Sequence, residues 1–75
     1  MYIVTEFQTT GDTTSVLNYT FTNVNAAEQK YHEILSYAAV STVPLHAVSI
    51  FNEYGCVRKN EYYEHPVQSA HEPTP

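Results

Sequence analysis

Apolar side chains recur at a spacing of two in two segments near the start of the chain, with Ile3 and Phe7 on one side of the first and Leu17, Tyr19 and Phe21 on one side of the second. This period is typical of β-strands with one buried face. It predicts strands over residues 2–8 and 15–22, joined by a polar loop over residues 9–14 that contains Gly11. Because consecutive strands joined by a short loop pair antiparallel, these segments predict a β-hairpin.

The apolar period lengthens to that of a helix in the next segment. The pattern predicts a helix over residues 26–41, because Pro44 cannot continue it. Asn25 is the predicted N-cap, with Glu28 completing a capping-box-like pair, and Asn23 is the alternative cap. The core-facing stripe consists of the apolar side chains at helical spacing, namely Ala27, Tyr31, Ile34, Leu35 and Ala38.

Two further strands are predicted over residues 45–52 and 56–63, separated by a turn at Gly55. The order β-β-α-β-β predicts an α+β fold, in which a four-stranded antiparallel sheet carries one helix packed on one face. Residues 1–65 are expected to form a single compact domain. The Pro-rich residues 66–75 are expected to form a mobile C-terminal tail.

The third predicted strand is apolar on both faces, although one helix covers only one of them. A chain of 75 residues with a single cysteine, Cys56, also lacks the disulfides that help stabilise small domains. Cys56 itself is expected to be a small buried side chain. We therefore predict a homo-oligomer, whose interface combines Tyr2, Val4, Ala47, Val48, Ile50 and Phe51.

The charge balance excludes some partners. Lys30, Arg58 and Lys59 are the only basic residues, and the formal net charge is -5. Nucleic-acid binding requires several phosphate contacts from such residues, and an anionic membrane surface is disfavoured for the same reason. The sequence also lacks the stretch of roughly 20 apolar residues that a membrane span requires. No secretory leader is expected either. A cytoplasmic protein that binds neither nucleic acid nor membrane is therefore expected.

No sequence motif of a known catalytic, metal-binding or cofactor-binding site occurs. We therefore predict no catalytic residue, no metal and no cofactor. His32 and His46 leave a small hydrolase as the weakest hypothesis, since each could act with a carboxylate. His46 has two other interpretations, a hydrogen bond at the helix C-terminus or a polar contact at the rim of an inter-subunit pocket.

The seven tyrosines of the chain exceed what one small core can bury. Tyr31 is expected in the core, and Tyr19 is a second candidate. Aromatic faces stack on planar ligands, and nearby cations meet anionic groups. The predicted surface for a ligand or a protein partner combines Tyr54, Arg58, Lys59, Tyr62, Tyr63 and His46.

Four short patterns resemble small proteins of unknown function encoded by bacteriophages and prophages of gut bacteria. They are Ala27-x-x-x-Tyr31-His32-x-Ile34, Ala38-Ala39-x-Ser41-x-Val43-Pro44-x-His46, Glu53-x-Gly55 and Glu61-x-Tyr63. The resemblance implies no activity and no site residue. It implies a setting in which small oligomers inhibit host defence.

The leading hypothesis is a non-enzymatic oligomeric interaction module, expected in this setting to inhibit a host defence protein. The alternative is an oligomer that sequesters a small nucleotide signal at its subunit interfaces.

Overall fold

The computed structural model describes residues 1–66 and has the predicted α+β architecture. Its elements are β1 (Tyr2–Thr10), β2 (Thr13–Phe21), α1 (Val24–Ala39), β3 (Leu45–Asn52) and β4 (Val57–Glu64). The strands form one antiparallel sheet in the order β2-β1-β3-β4, and α1 packs against one side of it. The fold prediction is confirmed, whereas the predicted mobile tail lies outside the described residues except for Pro66. Among residues 1–66, no helix is both long and apolar enough to cross a membrane.

The β1–β2 hairpin has a much tighter turn than predicted. Thr10 pairs with Thr13, so the loop contains only Gly11 and Asp12. Gly11 has a φ of +60°, which suits the first central position of a two-residue hairpin turn. The predicted six-residue loop was too long because its threonines, although polar, are good strand formers.

The helix begins at the alternative cap. Asn23 Oδ1 accepts hydrogen bonds from the backbone N–H groups of Asn25 at 2.6 Å and Ala26 at 3.3 Å. Asn25 therefore lies inside the first turn, and the predicted Asn25–Glu28 capping box is wrong. The helix ends at Ala39, two residues before the predicted end.

The hydrophobic core lies between α1 and the sheet. The predicted helical stripe is confirmed, since Ala27, Tyr31, Ile34 and Ala38 are buried and Leu35 packs beside the core. The opposing sheet side chains have no exposed area, and they are Val4, Val48 and Ile50. These three residues were predicted at an oligomer interface. That assignment is corrected, because the protomer's own helix already covers them.

The turn between β3 and β4 exposes Cys56, contrary to the prediction of a buried thiol. Asn52 Oδ1 accepts hydrogen bonds from the backbone N–H groups of Tyr54 and Cys56, both at 2.9 Å. Gly55 completes the turn with a φ of +84°. These contacts hold Cys56 outside the sheet, so β4 begins one residue later than predicted.

The two candidate caps can be separated by mutation. We expect Asn23→Ala to lower the free energy of unfolding by about 1 kcal/mol, because two helical N–H groups lose their acceptor. The matched variant Asn25→Ala should leave stability unchanged or slightly higher, because alanine favours the helix interior. Urea unfolding followed by circular dichroism measures both. A larger loss from Asn25→Ala than from Asn23→Ala would contradict the assigned cap.

Candidate functional site

The side of the sheet opposite α1 is uncovered by any described residue, and we call it the open face. Strand register arranges its side chains in four cross-strand rows. Two rows are largely apolar. One consists of Thr20, Ile3, Phe51 and Val57, and the other consists of Val16, Phe7, Ala47 and Tyr62. Between them runs the polar row of Asn18, Thr5, Ser49 and Asn60, and Thr14, Thr9, Leu45 and Glu64 form the outermost row.

The polar row pairs its own hydrogen-bonding groups. Thr5 Oγ1 donates to Asn18 Oδ1 at 2.8 Å, and Asn60 Nδ2 donates to Ser49 Oγ at 2.6 Å. Thr5 and Ser49 are only 6% and 4% exposed, although no element lies above them. The larger side chains of the flanking rows shield them. If another surface covers the open face, the Thr5 and Ser49 hydroxyls already have partners, and the desolvation cost of the row falls on the second amide atom of Asn18 and of Asn60.

The flanking rows expose a broad apolar surface. Val57 is 59% exposed and Tyr62 is 54% exposed, while Ile3, Phe7 and Phe51 are half-buried. Glu64 is the only charged residue among the open-face side chains defined above. Contiguous apolar surface of this kind is typical of an interaction site.

The predicted interface residues are divided between the two sides of the sheet. Ala47 and Phe51 lie on the open face, whereas Tyr2 packs at the margin of the helix-covered core with the three buried residues. The open face also carries Ile3, Phe7, Val16 and Val57, which the prediction did not name. Alternation in sequence groups Ile3 with Phe7 on one side of β1, but it says neither that Phe51 of β3 shares that side nor which side the helix covers.

A β-bulge gathers the predicted cations against the helix. The register between β3 and β4 shifts at Ile50 and Phe51, so Arg58 and Lys59 both reach the side of the sheet that carries α1. Arg58 Nε lies 2.9 Å from Glu28 Oε2, and Lys59 Nζ lies 2.8 Å from Glu28 Oε1. In a regular strand, adjacent residues such as Arg58 and Lys59 point to opposite sides of the sheet, and the bulge removes this alternation here.

Glu28 thus ties the first part of α1 to β4. The hydrogen bond from Lys59, and then the one from Arg58, lowers the pKa of the Glu28 carboxyl below its ordinary value of 4.5. His32 Nε2 lies 3.5 Å from the same carboxylate on the exposed side of the helix. An anionic ligand at Arg58 and Lys59 would have to compete with this internal carboxylate.

The predicted ligand-binding residues do not converge on one site. Tyr54 is exposed in the β3–β4 turn, Tyr62 lies on the open face, and Tyr63 lies on the opposite side. There the Tyr63 ring stacks on the His65 ring, with centroids 6.3 Å apart and planes 15° apart. His46 is buried. No ligand-sized cavity is present within residues 1–66.

His46 forms a buried pair with Glu6, a contact that connects β3 to β1. His46 Nε2 lies 2.6 Å from Glu6 Oε2, which also accepts a hydrogen bond from Gln8 Nε2 at 2.9 Å. His46 Nδ1 has no hydrogen-bond partner among the described residues. The predicted contact at the helix C-terminus is instead made by His65, whose Nε2 lies 2.8 Å from the Ala38 carbonyl oxygen.

The His46–Glu6 pair has the contact distance of an acid–base dyad but is closed to substrate. The two side chains are only 5% and 11% exposed, and a general base must reach the proton that it abstracts. Within the described part of the chain, no three His, Cys, Asp or Glu side chains cluster as metal ligands would. The geometry is that of an internal strand-to-strand contact.

Comparisons with known proteins add no assignment: the chain matches no protein-family model, no curated protein and no solved structure. The resemblance to phage-encoded proteins accordingly stays a prediction.

The His46–Glu6 pair predicts a strongly coupled double-mutant cycle. We expect Glu6→Leu and His46→Leu each to lower the free energy of unfolding by about 3 kcal/mol, because each leaves a buried polar partner unpaired. The double variant should be more stable than either single variant. Denaturant unfolding measures all three, with Glu61→Leu on exposed β4 as a control expected within about 0.5 kcal/mol of the parent. Additive losses in the double variant would contradict the pairing.

The Glu28 contacts predict an acid-sensitive contribution to stability. Because the folded-state pKa is lowered, the stabilisation is fully present above the unfolded value of 4.5 and disappears as the pH falls through the folded value. Glu28→Gln should therefore be less stable than the parent near neutral pH, and the difference should shrink as the solution is acidified to about pH 3. Urea unfolding across this range measures it, with Glu33→Gln as the matched helix control. A constant difference would count against the contacts.

Proposed function

We propose that this protein is a non-enzymatic interaction module that assembles with a second copy of itself through the open face. The observation that carries the proposal is the composition of that face, which combines exposed apolar rows with an internally hydrogen-bonded polar row. The phage resemblance adds a setting to the proposal, in which the assembled module would act by occluding a host defence protein.

The distribution of charge favours a second copy as the occupant. The chain has a formal net charge of -5, so most pairs of surfaces on two copies would bring carboxylates together. The open face avoids this repulsion, because its single carboxylate, Glu64, lies in the outermost row at the β4 edge. Two open faces can therefore meet without placing like charges at the centre of the contact.

The size of the open face also suits a dimer contact. Four strands and four rows of side chains cover about 27 Å by about 19 Å, from the usual rise per residue and strand spacing. Two such surfaces would bury on the order of 1,000 Å² in total, which is about the minimum for a biological interface. Face-to-face packing of two sheets with interleaved apolar side chains is a common arrangement.

The alternative of nucleotide sequestration has less support. Its two expected cations already contact Glu28 at 2.8–2.9 Å, and its expected aromatic residues lie on different surfaces. The hydrolase alternative would require the shielded His46–Glu6 pair to open.

Charge placed on the open face tests the proposal. We expect Tyr62→Lys and Val57→Lys each to weaken self-association at least about tenfold, because each brings a cation into an apolar contact. Both side chains are more than half exposed in the protomer, so neither change disturbs its core. Sedimentation velocity over a dilution series measures the dissociation constant.

Tyr37→Lys is the matched control, since Tyr37 is 60% exposed on α1 and lies off the sheet. It should leave the dissociation constant unchanged. A parent protein that stays monomeric at tens of micromolar, or an open-face variant that associates as the parent does, would contradict the proposal.

A further inference from the structure

The two edges of the sheet differ in how they are protected against pairing with another strand. β2 and β4 lie at the ends of the order β2-β1-β3-β4, so each leaves one row of backbone N–H and C=O groups without a strand partner. Such edges recruit further strands unless charge, proline, a bulge or a covering element prevents it. Both edge strands lie within residues 1–66, which the structure describes.

The β4 edge carries two of these protections. A register shift between Ile50 and Phe51 bulges the strand. The strand is also highly charged, with Arg58, Lys59, Glu61 and Glu64 among its eight residues. A second strand pairing with β4 would meet both an irregular backbone and desolvated charges.

The β2 edge carries none of them. Its nine residues, Thr13–Phe21, include no charged residue, no proline and no glycine. All nine pair with β1 in an unbroken register, so the strand is regular over its full length. Most of its side chains are exposed, and the core beneath α1 is centred on β1 and β3. The free side of β2 is therefore a long and unprotected strand edge.

We infer that β2 is a second contact surface, which pairs edge to edge and antiparallel with β2 of another copy of this chain. Antiparallel pairing follows from a two-fold axis perpendicular to the sheet, which keeps both helices on one side. The two sheets then join into one, and the open faces of the two copies become continuous. A strand without charge can pair with itself even though the whole chain is acidic.

This contact is separate from the face-to-face contact proposed above and does not depend on it. One contact uses backbone groups at the sheet edge, and the other uses side chains of the open face. Each is a two-fold contact that joins like surfaces. A chain that uses both would form a closed tetramer with three perpendicular two-fold axes where the two axes intersect, and an open array where they do not.

Disulfide trapping tests the edge contact by itself. The starting protein carries Cys56→Ser, which removes the native thiol, and Tyr62→Lys, which is expected to weaken the open-face contact. Single cysteines then replace Ser15, Val16, Leu17 and Asn18 in turn, and Glu61→Cys provides the control on the opposite edge. Residues facing their own copy across an antiparallel pair have Cα atoms about 4.5–5.5 Å apart, which a disulfide can bridge.

We expect the covalent dimer to form fastest at one β2 position and more slowly at the positions on either side of it. The rate of disulfide formation at that position should exceed the rate for Glu61→Cys at least about tenfold. Non-reducing electrophoresis after mild oxidation measures the rates. Equal rates at every β2 position and at Glu61→Cys would overturn the inference. Failure of the open-face proposal would not produce that result, because every sample carries the same Tyr62→Lys substitution on the open face.

A charge variant gives an independent measurement. Leu17 is half exposed and lies on the helix side of the sheet, away from the open face. Leu17→Lys in the same Cys56→Ser, Tyr62→Lys protein should weaken the remaining association at least about tenfold, because two cations would meet near the two-fold axis. Val40→Lys, on the exposed helix cap, should have no effect. Equal association of the two variants would overturn the inference.

Discussion

The limited reach of a single helix determines how this small protein is built. α1 can cover only one side of a four-stranded sheet, and it buries Val4, Val48 and Ile50 completely on that side. The other side carries Phe7, Phe51 and their neighbours without any described element above them. The chain thus has one hydrophobic core buried between α1 and the sheet, and one apolar surface that its own described residues do not cover.

The charges of the protein follow the same division. The bulge in β4 turns both Arg58 and Lys59 toward α1, where Glu28 holds them. The buried Glu6 and His46 pair with each other on the same side of the sheet. Contacts between charged and polar side chains therefore help to hold the helix-covered side together, and the open face keeps the low charge that suits contact with another copy.

Local periodicity made much of this structure predictable. The element order and the helical stripe depend on residues close in sequence, and both are observed. The pairing of Glu6 with His46 joins residues 40 positions apart, and the bulge depends on how two strands align, so neither has a local signal. The predicted interface mixed both sides of the sheet, because alternation shows which residues share a side but not which side the helix takes.

The loss, in Tyr62→Lys, of the parent's concentration-dependent thermal unfolding midpoint tests most directly whether another copy covers the open face. Association in the folded state alone stabilises that state by mass action. The midpoint should therefore rise by several degrees as the concentration of the parent protein increases about a hundredfold through the micromolar range, and Tyr62→Lys should lose this rise. A reversible transition of the parent with the same midpoint at every concentration, or an equal rise in Tyr62→Lys, would contradict the account.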